Sequence, residues 1–130
     1  MIEPLEFSQD DINRGKLVKP DWYGLSIEKV EKKQAKNGES INYVMHAKVI
    51  SSKGGDGEFA GVPVVWNFNS KALGFMVGFV AALTGEEVKA GKRFDIFAAS
   101  GKKIYAFIGN KEYEGNMRNN VEHKYAHYEE

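Results

Sequence analysis

The chain has 130 residues, 18 basic and 18 acidic side chains and no cysteine. That length suits one domain with a core of its own. The missing cysteine excludes disulfides, thiolate metal sites and a cysteine nucleophile. No apolar run reaches the roughly 18 residues that cross a membrane, and the acidic opening MIEPLEFSQDD does not read as a secretory signal.

Net neutrality hides a pattern. Residues 16–53 carry eight lysines against Asp21, Glu28, Glu31 and Glu39. Residues 92–111 carry Lys92, Arg93, Lys102, Lys103 and Lys111 against Asp95 alone. These two blocks make one basic surface if their strands are neighbours, and otherwise line solvated strand faces.

In chain order, Ser8 and Asp11 predict a capping box, and Phe7 and Ile12 a hydrophobic staple, at the start of a short helix that Gly15 ends. Residues 7–15 therefore read as a small N-terminal flap without chemistry of its own. Asp21 to Lys36 reads as a long strand. Tyr23, Leu25 and Ile27 share one face, Val30 falls on the other, and a bulge near Glu28 reconciles them. Asn37-Gly38 predicts a type I′ hairpin into a second strand, Ser40 to Ser51. Neither face of that strand is cleanly polar, so both are expected to be partly covered. Lys53-Gly54-Gly55-Asp56-Gly57 is a flexible loop. It lacks the Gly-Lys-Ser/Thr that a phosphate-binding loop requires.

From Val62 to Phe68, Val62, Val64, Trp66 and Phe68 recur at a spacing of two, the pattern of a strand. After Ser70 the period becomes helical. Leu73, Met76, Val77 and Val80 form one stripe, and Phe75, Phe79 and Ala82 a second beside it. The expectation is a helix capped by Asn69 or Ser70, ended by Gly85 and buried on more than one side. Phe94 to Ala99 fits a helical turn or a short strand. Ile104, Ala106 and Ile108 alternate with Lys103, Tyr105 and Phe107 in a fourth strand, punctuated by Gly109-Asn110. Tyr113 to Asn116 is a turn, Val121 to Tyr125 a last strand, and 126–130 a short acidic tail. The fold class is thus mainly β. Five strands with a helix between the third and fourth is the order of the OB-fold, a five-stranded Greek-key barrel, in one domain over 1–130; other α+β folds share that order.

Several stretches also resemble a family. These are Val18-Lys19-Pro20-Asp21-Trp22-Tyr23, Lys36-Asn37-Gly38, Gly61 with Val64, Phe68-Asn69-Ser70-Lys71-Ala72-Leu73-Gly74, and Gly101-Lys102-Lys103 with Tyr113-Glu114-Gly115 and Asn119-Asn120-Val121. Together they resemble bacteriophage single-stranded DNA-binding proteins and recombination accessories with an OB-fold. The resemblance runs from about Val18 to Tyr125. It implies work in phage DNA replication or recombination, in the cytoplasm of an infected bacterium, with phage or host replication and recombination proteins as further partners. It leaves a homodimer open. Such proteins often end in a long acidic tail that recruits partners, whereas here there is only Tyr128-Glu129-Glu130.

Single-strand binding needs cations for phosphates and flat side chains for bases. The candidates are Lys19, Trp22, Tyr23, Lys29, Lys32, Lys33, Tyr43, Lys48, Lys102, Lys103, Tyr105 and Phe107. Trp66, Phe75, Phe79, Phe94 and Phe97 read as core. His123 and His127 stand four apart, which pairs side chains only on a helix, so no metal is expected and no cofactor. No nucleophile–base pair or carboxylate pair suggests catalysis. The other reading is a protein-interaction module that binds a recombinase, a polymerase or a host defence factor.

Overall fold

The strand β1 (Asp21–Gln34) joins both halves of the fold, in a computed structural model that describes residues 4–129. Its first half pairs antiparallel with β2 (Ile41–Ser52) on one side and β4 (Lys103–Tyr113) on the other, and its second half with β2 alone. Register breaks at Gly24/Leu25 and Ile27/Lys29 let it curl, so the expected bulge near Glu28 is present. With β3 (Pro63–Asn69) outside β2 and β5 (Asn116–His127) outside β4, the strand order is β3-β2-β1-β4-β5. The edge strands β3 and β5 touch through Phe68 and Tyr125, with no ladder between them among the described residues. This is the five-stranded, partly open barrel expected from the element order, the OB-fold.

Inside it, Tyr23, Leu25, Ile27, Met45, Ala47, Val49, Val64, Trp66, Phe68, Ile104, Ala106 and Ile108 are buried. Period-two alternation therefore sorted the strands correctly. The outer face of β2 is half covered, as its sequence suggested.

The helix α2 (Gly74–Thr84) lies against β5 and closes the seam. Phe79 is fully buried, with ring centroids 5.0 Å from Phe68, 5.4 Å from Tyr125 and 6.1 Å from Trp66. Three expectations for this helix are corrected. Asn69 and Ser70 do not cap it: Asn69 Oδ1 accepts from the Lys71 N–H, and Ser70 Oγ accepts from the Ile41 N–H. The helix starts later, at Gly74, with no side-chain cap. Burial is confined to its C-terminal half, where Phe79, Val80, Ala82 and Leu83 are buried, while Leu73, Phe75 and Val77 at its N-terminal end are exposed. The seam covers the last turns around much of their circumference, as expected, but the first turns project past it, and an apolar sequence does not bury them. Gly85 ends the helix in the left-handed region, at φ 72°.

The turns exchange roles. Asn37-Gly38 does not form a type I′ turn, because only Gly38 has positive φ. The Gly38 N–H closes a turn on the Ala35 carbonyl, inside a longer loop closed by Ala35 N–H to Ser40 O. Glu114 and Gly115 carry the φ values of 50° and 82° that a type I′ hairpin needs. That tight turn extends β4 and β5 into a long hairpin. Gly109-Asn110 lies within β4 rather than ending it, and residues 116–120 and 126–127 are strand rather than loop and tail. Glu130 lies outside the described residues.

The short helix α1 (Gln9–Arg14) has its capping box. Ser8 Oγ accepts from the Asp11 N–H at 3.2 Å, and the Asp11 carboxylate accepts from the Ser8 N–H at 2.9 Å, which lowers the Asp11 pKa. The staple does not close, because Phe7 and Ile12 stay exposed. Ile96–Ala99 is a single 3-10 turn, of which Ile96 and Ala99 are buried. Phe97, expected in the core, is exposed and meets Tyr43 edge to face. Phe94 is partly buried against the core. No described helix is long and apolar enough to cross a membrane.

Candidate nucleic-acid interface

Because Ile104, Ala106 and Ile108 point inward, Lys103, Tyr105 and Phe107 point outward, as their parity predicted. The ladders extend that face sideways. Trp22, Gly24 and Ser26 of β1 stand opposite Phe107, Tyr105 and Lys103. On the other flank, Ala126 of β5 stands opposite Tyr105, and Lys124 and Tyr128 alternate with it along the chain.

The rings touch one another. Trp22 meets Phe107 edge to face at 6.0 Å, and Tyr105 lies against Tyr128 at 4.9 Å and a 37° tilt. Gly24 leaves bare backbone between them, where a Cβ would stand 3.0 Å from the Tyr128 ring and 3.6 Å from the Tyr105 ring. Cations cover the rings. Lys53 Nζ lies 5.6 Å from the Trp22 ring centroid and 5.4 Å from that of Tyr105. Lys124 Nζ lies 5.3 Å from the Phe107 ring, and Lys103 Nζ 5.7 Å from that of Tyr128. Lys53 and Lys124 have no carboxylate partner within 4 Å among the described residues. The stripe continues along β4 to Lys111 and Tyr113, where Arg118 sits 4.8 Å over the Tyr113 ring.

Of the sequence candidates, Trp22, Lys103, Tyr105 and Phe107 share this face, and Lys102 adjoins it, beside Lys103 and Tyr128. The others do not. Tyr23 is core, and its hydroxyl donates to the Lys19 carbonyl at 2.6 Å; burial raises its pKa. Tyr43 packs at the barrel end beside Met76, Val88 and Phe97. Lys19 reaches Glu58 at 3.8 Å, Lys33 reaches Glu31 at 3.7 Å and Lys48 reaches Glu28 at 3.7 Å. Lys29, Lys32 and Lys33 lie on the half of β1 that has left β4. The two basic blocks therefore do not merge: from the first, Lys53 alone joins the aromatic face.

Lys53, Lys124 and Tyr128 were missed from the sequence. Lys124 and Tyr128 come into view once β5 is carried through His127 with its parity intact. Lys53 sits in the glycine loop, and its backbone N–H donates to the Trp22 carbonyl at 2.8 Å.

The histidines serve separate structural contacts. His46 Nε2 and Glu31 Oε1 are 2.8 Å apart, and this hydrogen bond is the main cause of the lowered Glu31 pKa. His127 Nδ1 donates to the Ala82 carbonyl at 2.8 Å. His123 lies against Phe75 at 5.0 Å and Phe68 at 5.6 Å, and the partial desolvation by these rings lowers its pKa. No three ligating side chains converge among the described residues. Trp66 Nε1 is buried without a close hydrogen-bond partner among them, though its N–H lies near enough to act on the Tyr125 hydroxyl.

No protein-family model and no curated protein matches the chain.

Proposed function

We propose that the protein binds single-stranded DNA independently of overall sequence, in the manner of a phage replication or recombination accessory. One observation carries this reading: four aromatic rings, Trp22, Tyr105, Phe107 and Tyr128, lie on one outer barrel face under the ammonium groups of Lys53, Lys103 and Lys124. Rings on an outer face expose apolar area to water, which a stacked base removes. An ammonium above a ring is displaced by that base and is then within reach of the flanking phosphate. A duplex keeps its bases stacked on one another, so it can use the cations but not the rings.

The test is fluorescence anisotropy with labelled poly-dT, duplex DNA and poly-U at two salt concentrations. Poly-dT should bind tighter than duplex, with a site of roughly 4–16 nucleotides, and its affinity should fall steeply with salt through counterion release. Equal affinity for duplex, or no binding of poly-dT at low salt, overturns the reading.

A second reading, a protein-interaction module, rests on another surface. Leu73, Phe75, Val77 and Phe97 are 46–60% exposed. A groove of about 280 Å³ opens at Leu73 and Val77, lined also by Met76, Val88 and Phe94. A partner seated there would bind with little dependence on salt.

A further inference from the structure

The outer row of β4 reads Lys103, Tyr105, Phe107, Gly109, Lys111, Tyr113, and one member has no side chain. The place that a side chain of residue 109 would take is filled by Glu122 of β5. A Cβ on Gly109 would stand 2.7 Å from Glu122 Oε2 and 3.1 Å from its carboxyl carbon. The β5 backbone is irregular at this point. Ile108 pairs with Val121 and Ala106 with Tyr125, so β5 inserts extra residues opposite Phe107, and His123 within them has φ 55°. A bulge of this kind re-aims the side chains beside it. Here it leaves Glu122 over Gly109 and Lys124 over Phe107.

An anion has thus been set into the middle of a cationic and aromatic stripe. On its two sides along β4 are Phe107, covered by Lys124, and Lys111, which pairs across the ladder with Arg118. No cation lies within 4 Å of the Glu122 carboxylate among the described residues. As a carboxylate it repels a phosphate and only accepts hydrogen bonds. A strand that follows the stripe therefore turns a base edge, not its backbone, toward Glu122.

Bases differ in what they offer a carboxylate. Cytosine presents an exocyclic amino group, and an acidic side chain accepts from it. Thymine presents carbonyl oxygens on both sides of its one N–H, and these oppose the carboxylate. We propose that Glu122, seated on the bare backbone of Gly109, is a specificity residue that favours amino-bearing bases, cytosine over thymine, at one position of the bound strand. This inference rests on the single-strand reading above.

Competition anisotropy with dC and dT oligomers of equal length tests it. Both are pyrimidines with weak self-stacking, so the comparison isolates the base edge. The wild-type chain should prefer dC by about fivefold or more, the low end expected for one side chain reading one base. Glu122→Gln keeps the shape, loses the charge and can also donate to thymine. It should bring the ratio to about one, chiefly by tightening dT. Its melting temperature should match the wild type, since Glu122 is exposed. Equal binding of dC and dT by the wild type, or a ratio unchanged in Glu122→Gln, overturns the inference and leaves the single-strand reading standing. Failure of both oligomers to bind overturns that reading and the inference with it.

Discussion

Trp22 and Phe107 stand directly opposite each other on the β1–β4 ladder and meet edge to face, their ring centroids 6.0 Å apart. The pair ties the start of the first long strand to the middle of the fourth and forms one end of the ring platform. Tyr105 and Tyr128 form the other. The Tyr105→Ala, Phe107→Ala double variant keeps Ile104, Ala106 and Ile108 inside the barrel. It should stay folded, at a cost of about 1 kcal/mol for each ring pair lost. Base stacking contributes roughly 1–3 kcal/mol per base, so its affinity for poly-dT should fall by about tenfold or more. Titration by anisotropy and a melt by circular dichroism separate the two effects. A variant that melts far below the wild type would mean that these rings hold the barrel together.

The cations make a different prediction, because ion pairing divides the lysines into two groups. Lys53 and Lys124 lie over rings, whereas Lys19 and Lys48 lie beside Glu58 and Glu28. Lys53→Ala and Lys124→Ala should each flatten the plot of log affinity against log salt by about 0.7, one phosphate's share on a single strand. Lys19→Ala and Lys48→Ala should leave that slope unchanged. These exposed pairs also add little to stability, so all four variants should melt within a few degrees of the wild type. A slope change in Lys48→Ala comparable to that in Lys124→Ala would place the bound strand on the β1–β2 side of the barrel.

The strand faces were legible because period two leaves no freedom once one face is buried. Tyr105 and Phe107 were found in that way, opposite Ile104 and Ala106. Tyr23 was misplaced for a related reason. Its ring belongs with Leu25 and Ile27 by parity, and its nearness in sequence to Trp22 and Lys19 says nothing about facing. Lys53 was not legible, because a loop residue has no parity and its position depends on a hydrogen bond to the Trp22 carbonyl. The exposure of the first turns of α2 is not legible because hydrophobicity marks what can be buried, and only the packing partner decides what is. The type I′ turn escaped because Glu114 is an uncommon residue at positive φ, while Asn37-Gly38 carried the familiar signature.

The corrected helix yields a stability test with opposite outcomes at its two ends. Phe79 fills the space between Phe68, Trp66 and Tyr125, and Phe79→Ala should cost about 3–5 kcal/mol. Val80→Asp puts a charge into an apolar site and should be similarly severe. Leu73→Asp and Val77→Asp lie at the N-terminal end, both about half exposed, and should change stability by less than about 1 kcal/mol. Denaturant melts of the four variants decide the matter. Strong destabilisation by Val77→Asp would mean that a further partner covers this end of α2.

The last prediction concerns pH. His123 is exposed on one side and lies between Phe75 and Tyr125 on the other, and the partial desolvation by these rings lowers its pKa from the ordinary value. The folded state therefore favours the neutral ring, whereas the unfolded chain takes up a proton near the ordinary value of about 6.5. The unfolded state binds more protons in that range, so stability should be full above about pH 7 and decline as pH falls below 6.5, through the lower folded pKa. Glu31, whose pKa is lowered chiefly by its hydrogen bond from His46, also loses its contribution on acidification, but only below the ordinary carboxylate range. The two effects are separated in pH. His123→Asn removes the titrating ring, and Asn tolerates the positive φ found at this position. The ring is exposed and solvent screens it, so the melting temperature should fall only slightly from pH 7.5 to pH 5.5 for the wild type, and less for His123→Asn. Equal acid sensitivity in the two proteins would assign the loss to another group.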